Sequence, residues 1–203
     1  PPGVNNYQNQ PADYADLSRE EQIALAQKLY SEAGYSQDNP AEIEIRYNTS
    51  EGHKKIASAI ASFWKDHLGA KVTLINEEWK VFLTSVKEKK KTQAYRSGWI
   101  GDYNDAFTFL ELMHGDFGLN GAGYNSDEYD RLLDQASVEG DADKRRALMQ
   151  QAEQVLMRDQ PVIPIYFYVN KGLVKPWVKG IVGNVMDHHY SKNLWIEPSP
   201  PKG

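Results

Sequence analysis

A switch of hydrophobic period, from two to 3.6 and back, constrains the fold of this chain more than any other feature. Glu42-Ile43-Glu44-Ile45-Arg46-Tyr47 alternates apolar and polar residues, the pattern of a half-buried strand. Ser50 then stands where a helix N-cap belongs. Ile56, Ile60, Phe63, Trp64 and Leu68 recur at helical spacing until Gly69 closes the run. A second strand is predicted over Lys71 to Ile75. After Trp79 a short helix carrying Phe82 and Val86 leads to a third predicted strand at about Gln93 to Trp99. Strands that alternate with helices pair in parallel, because each crossover returns the chain to the same edge. The expected fold class is α/β, a mostly parallel sheet flanked by helices.

Local helix signals flank this unit. Ser18 with Glu21 three residues on forms a capping-box pattern ahead of Ile23, Leu25, Ala26, Leu29, Tyr30 and Ala33, and Gly34 occupies a C′ position. Downstream, Asp105 is predicted to cap a short helix through Phe109, Leu110 and Met113. Ser126 precedes a helix with Tyr129, Leu132, Leu133 and Ala136. Asp141 precedes one with Leu148, Ala152, Val155 and Leu156. Residues 114–124 are glycine-rich and read as a loop. Val162 to Val169 is predicted as a strand that Pro164 confines to an edge or a bulge.

The domain expectation follows. Residues 1–17 form an extended lead-in, residues 18–170 a ligand-binding lobe, and residues 171–203 an irregular tail that crosses back to another domain. The opening Pro1-Pro2-Gly3 is neither a start methionine nor a targeting segment, and is expected to mark a processed product or an excised fragment.

Composition removes several function classes. With no cysteine, disulfides, thiolate metal sites and a cysteine nucleophile are excluded. A net charge of -5 argues against nucleic acid as the main partner. No apolar run approaches the roughly 20 residues that a membrane-spanning helix needs. Lys87 to Lys91 reads as a solvated helix end or loop. No nucleophile elbow, phosphate loop or HExxH motif occurs. His188 and His189 are adjacent and would point apart in a strand, with no third ligand at a useful spacing, so neither a metal nor any other cofactor is expected.

The chemistry concentrates in Arg96-Ser97-Gly98-Trp99-Ile100-Gly101-Asp102-Tyr103-Asn104. An indole, bare backbone, a carboxylate and a phenol close together suit a small cation, through charge and through attraction to ring faces. Asp102 should lie beyond the carboxyl end of a strand, where open α/β sheets bind ligands. The competing reading is a helix-capping or turn aspartate. Trp79 and Trp99 both follow predicted strands and could stand at the same sheet edge; a core position is the usual reading for a single tryptophan, and the neighbouring Asp102 favours a site role for Trp99. Arg96 could meet a ligand carboxylate or a structural one. His53, in the first turn of its helix, could hold an anion or simply face solvent. A hydrolase pairing Asp102 with Glu78 or Asp105 would need environments that separate their pKa values, which nothing in the sequence shows.

These residues also carry a resemblance. Tyr47-Asn48-Thr49-Ser50, His53-Lys54-Lys55, Glu78-Trp79-Lys80 with Phe82-Leu83, and Gly98-Trp99 with Asp102-Tyr103-Asn104 are matched in order. So are Tyr168-Val169-Asn170, Leu173-Val174-Lys175-Pro176-Trp177-Val178 and Lys192-Asn193-Leu194. Over residues 18–196 the chain resembles the C-terminal part of periplasmic oligopeptide- and murein-peptide-binding receptors, which belong to bacterial extracellular solute-binding protein family 5 and serve peptide ABC importers. The resemblance implies a lobe of the type II periplasmic-binding-protein kind, with a tail returning to a first lobe that lies outside this chain. It implies an oligopeptide as ligand, a membrane permease as partner of the intact receptor, and no catalysis. A dipeptide, a murein peptide, a nickel complex or haem would be alternative ligands in the same fold. With half of the cleft outside the chain, weak peptide binding by the chain alone is expected.

The resemblance also implies roles. Asp102 would pair with the peptide's α-ammonium group, and the backbone of Gly98 and Ile100 would bond to the peptide main chain as an added strand does. Trp79 and Trp99 would wall side-chain pockets. Arg96 and His53 would meet the C-terminal carboxylate at different peptide lengths. A second arginine of the family pattern falls on Val86 here, and one extra residue precedes Arg96.

Overall fold

A computed structural model of the chain describes residues 1–89 and 93–198. The chain divides into two compact units. A sheet unit comprises Pro11–Gly98 and Gly115–Ser126. A helical unit comprises Pro1–Gln10, Trp99–His114 and the chain from Asp127 onward.

In the sheet unit, helix α1 (Arg19–Glu32) leads to strand β1 (Glu42–Asn48). Helix α2 (Glu51–Leu68), strand β2 (Lys71–Glu77), helix α3 (Trp79–Glu88) and strand β3 (Ala94–Tyr95) follow. The sheet has the order β2-β1-β3 and all pairs are parallel. The alternation of strand and helix thus produces the α/β architecture expected. Ile45 and Tyr47 on one face of β1 are buried with Ala57 of α2, and Ile43, Ile60, Trp64, Val72, Leu74 and Ala94 close around them.

Helix boundaries follow local chemistry. Ser18 and Glu21 make both bonds of a capping box (2.8 and 3.3 Å). Gly34 and Gly69 end their helices at φ +86 and +72, a region that costs glycine least. α1 buries none of its residues and leaves Leu29 exposed, so its apolar stripe is less used than its period suggests. Lys87 and Lys89 are exposed at the end of α3, in keeping with a solvated helix end; Lys90 and Lys91 lie outside the described residues.

The predicted third strand shrinks to Ala94–Tyr95, one further bond from the Arg96 N–H to the Arg46 carbonyl (2.8 Å) continuing its line. Glycine at 98 has no side chain to pack on a pleated surface, and the chain passes to the other unit at residue 99.

The helical unit contains a single-turn helix α4 (Phe107–Leu110), continued by a 3-10 turn at Glu111–Met113. It also contains α5 (Asp127–Val138), α6 (Ala142–Asp159) and a two-stranded antiparallel pair, β4 (Val178–Lys179) with β5 (Trp195–Ile196). Tyr129, Leu132, Leu133 and Ala136 of α5 are buried, as are Met149, Ala152, Val155 and Leu156 of α6. Asp141 caps α6 through the N–H groups of Asp143 and Lys144 (3.0 Å each). The first ten residues are fastened to α6: Val4 is buried, and Glu153 accepts from the Tyr7 hydroxyl (2.8 Å) and the Gln10 N–H (2.9 Å).

Val162 to Val169 is not a strand, which corrects the expectation from its apolar run. Its backbone pairs with no strand among the described residues, and Ile163 to Val169 is exposed. A β-rich sequence becomes a strand only where another strand takes up its N–H and C=O groups.

Candidate functional site

The predicted residues divide between the units. His53, Trp79, Arg96 and Gly98 belong to the sheet unit; Trp99, Ile100 and Asp102 belong to the helical unit.

Within the sheet unit, topology collects three of them at one edge. His53, Trp79 and Arg96 each follow the carboxyl end of a different parallel strand: β1 ends at Asn48, β2 at Glu77 and β3 at Tyr95. The chain runs from β1 outward to β2, then back across β1 to β3. Such a reversal leaves a crevice beyond the strand ends, the usual ligand position in open α/β sheets. His53 sits in the first turn of α2 with Nδ1 3.1 Å from the Asn48 carbonyl oxygen, a contact that places the proton on Nδ1. Trp79 opens α3. It is half exposed, at 51%, and stacks on Phe82 at 6.0 Å between ring centroids. It is therefore not a core tryptophan. Gly98 is exposed.

The same edge contains a buried charge that local sequence does not announce. Arg46, on the face of β1 opposite Ile45 and Tyr47, is 7% exposed and paired with Glu77 at the end of β2. Ser85 of α3 donates to the same carboxylate oxygen (3.1 Å). Arg46 and Glu77 lie 31 residues apart, so no i,i+4 pattern could reveal the pair.

In the helical unit, Gly101 and Asp102 lie against α4. A Cβ on Gly101 would stand 3.1 Å from the Phe109 ring and 3.2 Å from Thr108 Cγ2, so close packing explains this glycine without any ligand. The Asp102 N–H donates to Thr108 Oγ1 (3.1 Å). The Asp102 side chain is exposed, and its carboxylate has no hydrogen-bond or ion-pair partner among the described residues. Asp105, three residues on, does the structural work instead. Oδ1 accepts from the Phe107 N–H (2.9 Å), and both oxygens hold Arg145 (2.7 and 3.0 Å). Burial alone would raise the Asp105 carboxyl, but the Arg145 and Phe107 hydrogen bonds outweigh it and bring the pKa below its ordinary value. Of the two acids, Asp105 is thus the one whose side chain meets the first N–H of α4. Tyr103 donates to Glu111 Oε1 (3.0 Å), and burial with that carboxylate pushes its phenol up to about 12.

Trp99 is partly buried, and its Nε1 is enclosed without an acceptor among the described residues. Ile100 is 59% exposed. Glu78 spends its carboxylate on the Lys80 N–H as the cap of α3 (2.8 Å). Sequence reading missed Thr108, Arg145 and the Arg46–Glu77 pair, because each acts through a partner that only folding brings near.

A profile of the family described as "Bacterial extracellular solute-binding proteins, family 5 Middle" matches residues 1–121. The chain is 41% identical over 188 residues to the periplasmic murein peptide-binding protein MppA of Escherichia coli, covering 92% of this chain and 35% of that protein. It is 38% identical over 197 residues to the periplasmic oligopeptide-binding protein OppA of the same organism, covering 97% and 36%. A crystal structure of Haemophilus influenzae OppA in complex with RPPGFSPFR superimposes with a TM-score of 0.83 at 39% identity, over 93% of this chain and 37% of that one. The chain thus spans about a third of the length of the curated relatives it matches. On the profile match and these identities, the chain belongs to family 5 of the bacterial extracellular solute-binding proteins.

Proposed function

We propose that this chain is the peptide-anchoring part of a periplasmic receptor for oligopeptides that serves an ABC importer. The observation that carries the reading is the exposed Asp102 carboxylate, without a partner among the described residues, on a turn whose neighbouring acid is already consumed by Arg145. An aspartate kept available in this way suits a cation brought by a ligand, and the α-ammonium group is the cation every free peptide carries. The relatives MppA and OppA, a murein peptide-binding and an oligopeptide-binding protein, support the same ligand class.

In this reading Asp102 binds the ammonium group. The backbone of Gly98 and Ile100 bonds to the peptide main chain, and Trp79 and Trp99 line side-chain pockets. Arg96 and His53 take the C-terminal carboxylate. Main-chain and terminal groups are common to all peptides, so such a site is tolerant of sequence, with bridging waters filling the side-chain pockets. Residues 18–170 form the binding lobe, and residues 171–203 return to a first lobe. In the intact receptor, closure of two lobes over the peptide precedes delivery to a membrane permease. Catalysis has no support: the acids that could pair with Asp102 are engaged elsewhere, Glu78 on Lys80 and Asp105 on Arg145.

The test is calorimetry on a receptor of full family length that carries this chain. Asp102→Ala is expected to weaken binding of free-amine tri- to pentapeptides at least about tenfold, since removing one partner of a desolvated ion pair costs several kcal/mol. An affinity unchanged by the substitution would assign the receptor to another ligand class, such as a nickel complex or haem.

A further inference from the structure

We infer that Thr108 is a positioning residue for ligand recognition, acting through Asp102. The inference rests on the proposal that Asp102 receives an ammonium group. Thr108 has no exposed surface, although it carries a hydroxyl in the single-turn helix α4. Packing alone would be satisfied by valine, which has the same shape. The hydroxyl has a specific use: its oxygen accepts the Asp102 N–H at 3.1 Å. Gly101 beside it is tightly packed: a Cβ there would stand 3.2 Å from Thr108 Cγ2 and 3.1 Å from the Phe109 ring, so these neighbours would have to give by a few tenths of an ångström. The methyl side of Thr108 thus sets how closely the chain approaches, and the oxygen sets which way the Asp102 peptide unit faces.

The other end of the turn is fixed independently. Asp105 is clamped by Arg145 and caps the Phe107 N–H, and its own N–H bonds to the Tyr103 carbonyl (2.9 Å). Asn104 Oδ1 accepts from the Asn5 N–H (3.2 Å). With its amide directed at Thr108, Asp102 presents its carboxylate outward before any ligand arrives. Preorganisation of this kind raises affinity by removing the cost of ordering the group on binding.

The experiment uses a receptor of full family length and two peptides of one sequence, with a free or an acetylated N-terminus. Wild type should prefer the free amine. Thr108→Val, which keeps the shape and removes the acceptor, should lower free-amine affinity about five- to tenfold, the worth of roughly one hydrogen bond. It should leave the acetylated peptide within about twofold. Thr108→Ser, which keeps the oxygen and removes the methyl group, should retain the wild-type preference. This arm can overturn the inference even if the valine variant does not fold. Equal loss for both peptides in Thr108→Val, or loss of the preference in Thr108→Ser, would reduce Thr108 to a packing residue. A wild-type receptor indifferent to acetylation would overturn the ammonium reading itself, and the inference with it.

Discussion

Arg145 shows how a single side chain can tie several elements together. Its guanidinium holds both oxygens of Asp105, donates from Nε to the Ala136 carbonyl (3.1 Å) and lies 5.7 Å from the centre of the Phe107 ring. It thus ties α4, α5 and α6 together behind the Asp102 turn. Arg145→Met keeps much of the packing and removes the charge-assisted bonds. It is expected to destabilise the chain by about 1.5–3 kcal/mol in denaturant unfolding at neutral pH. A loss below half a kcal/mol would show that the pair contributes nothing beyond a surface contact. The pH dependence has a definite sign. The Asp105 carboxyl is held below its ordinary value in the fold, so its contribution is complete above the unfolded carboxylate range, near pH 4. That contribution is lost as pH falls through the lower folded value. Wild type should therefore lose stability below about pH 4 more steeply than Arg145→Met, and the two curves should converge in acid. At this scale the sequence marked Asp102 and Asp105 as special but left Asp102 open between ligand and cap. The engagement of Asp105 by Arg145 was not legible, because the two lie 40 residues apart, nor was the bond from the Asp102 N–H to a threonine that looks like any other.

Elements were legible where their causes are local. Caps act over three or four residues, so Ser18, Asp141, Gly34 and Gly69 announced their helices before any tertiary structure was known. Strands answer to distant partners, so the strands predicted at 93–99 and 162–169 were overstated. β1 shows both sides of this. Its alternation was plain, yet its polar face holds a buried Arg46 because Glu77, which also accepts from Ser85, meets it there. The glycine caps allow a direct test. Gly69 has φ +72, and the nearest atoms to a Cβ there would be the amide end of Gln37, at 2.8 Å, which can swing away. Gly69→Ala should then cost about 1 kcal/mol, almost entirely from the left-handed backbone. Gly140, between α5 and α6, has no atom near its would-be Cβ and no left-handed φ. Gly140→Ala should change stability by less than about half a kcal/mol. Equal effects of the two substitutions in urea unfolding would show that φ is not the cause.

For the whole molecule, the order of elements was enough to predict a parallel α/β sheet, because crossover rules leave few alternatives. The division into two units was not legible, since each is assembled from separate stretches of chain and composition does not change at the joins. The tail is the telling case. Residues 161–198 contain no buried residue, and Ile163, Phe167, Leu173, Trp195 and Ile196 are exposed. Their strand pairing is limited to two residues each of β4 and β5, beside a single 3-10 turn at Ser191–Asn193. So much apolar surface is unusual for a segment that finishes its own core, and it accords with the proposed return to another lobe. The cores around Ile45 and around Leu133 are built from residues before 161. A chain ending at Gln160 should therefore unfold cooperatively within about 1 kcal/mol of the 203-residue chain when followed by circular dichroism. It should also bind less of a hydrophobic dye such as ANS, because the exposed apolar surface leaves with the tail. Loss of cooperative unfolding in the shortened chain would mean that the tail helps to build these cores. The apolar residues of 161–198 would then be accounted for without any missing lobe.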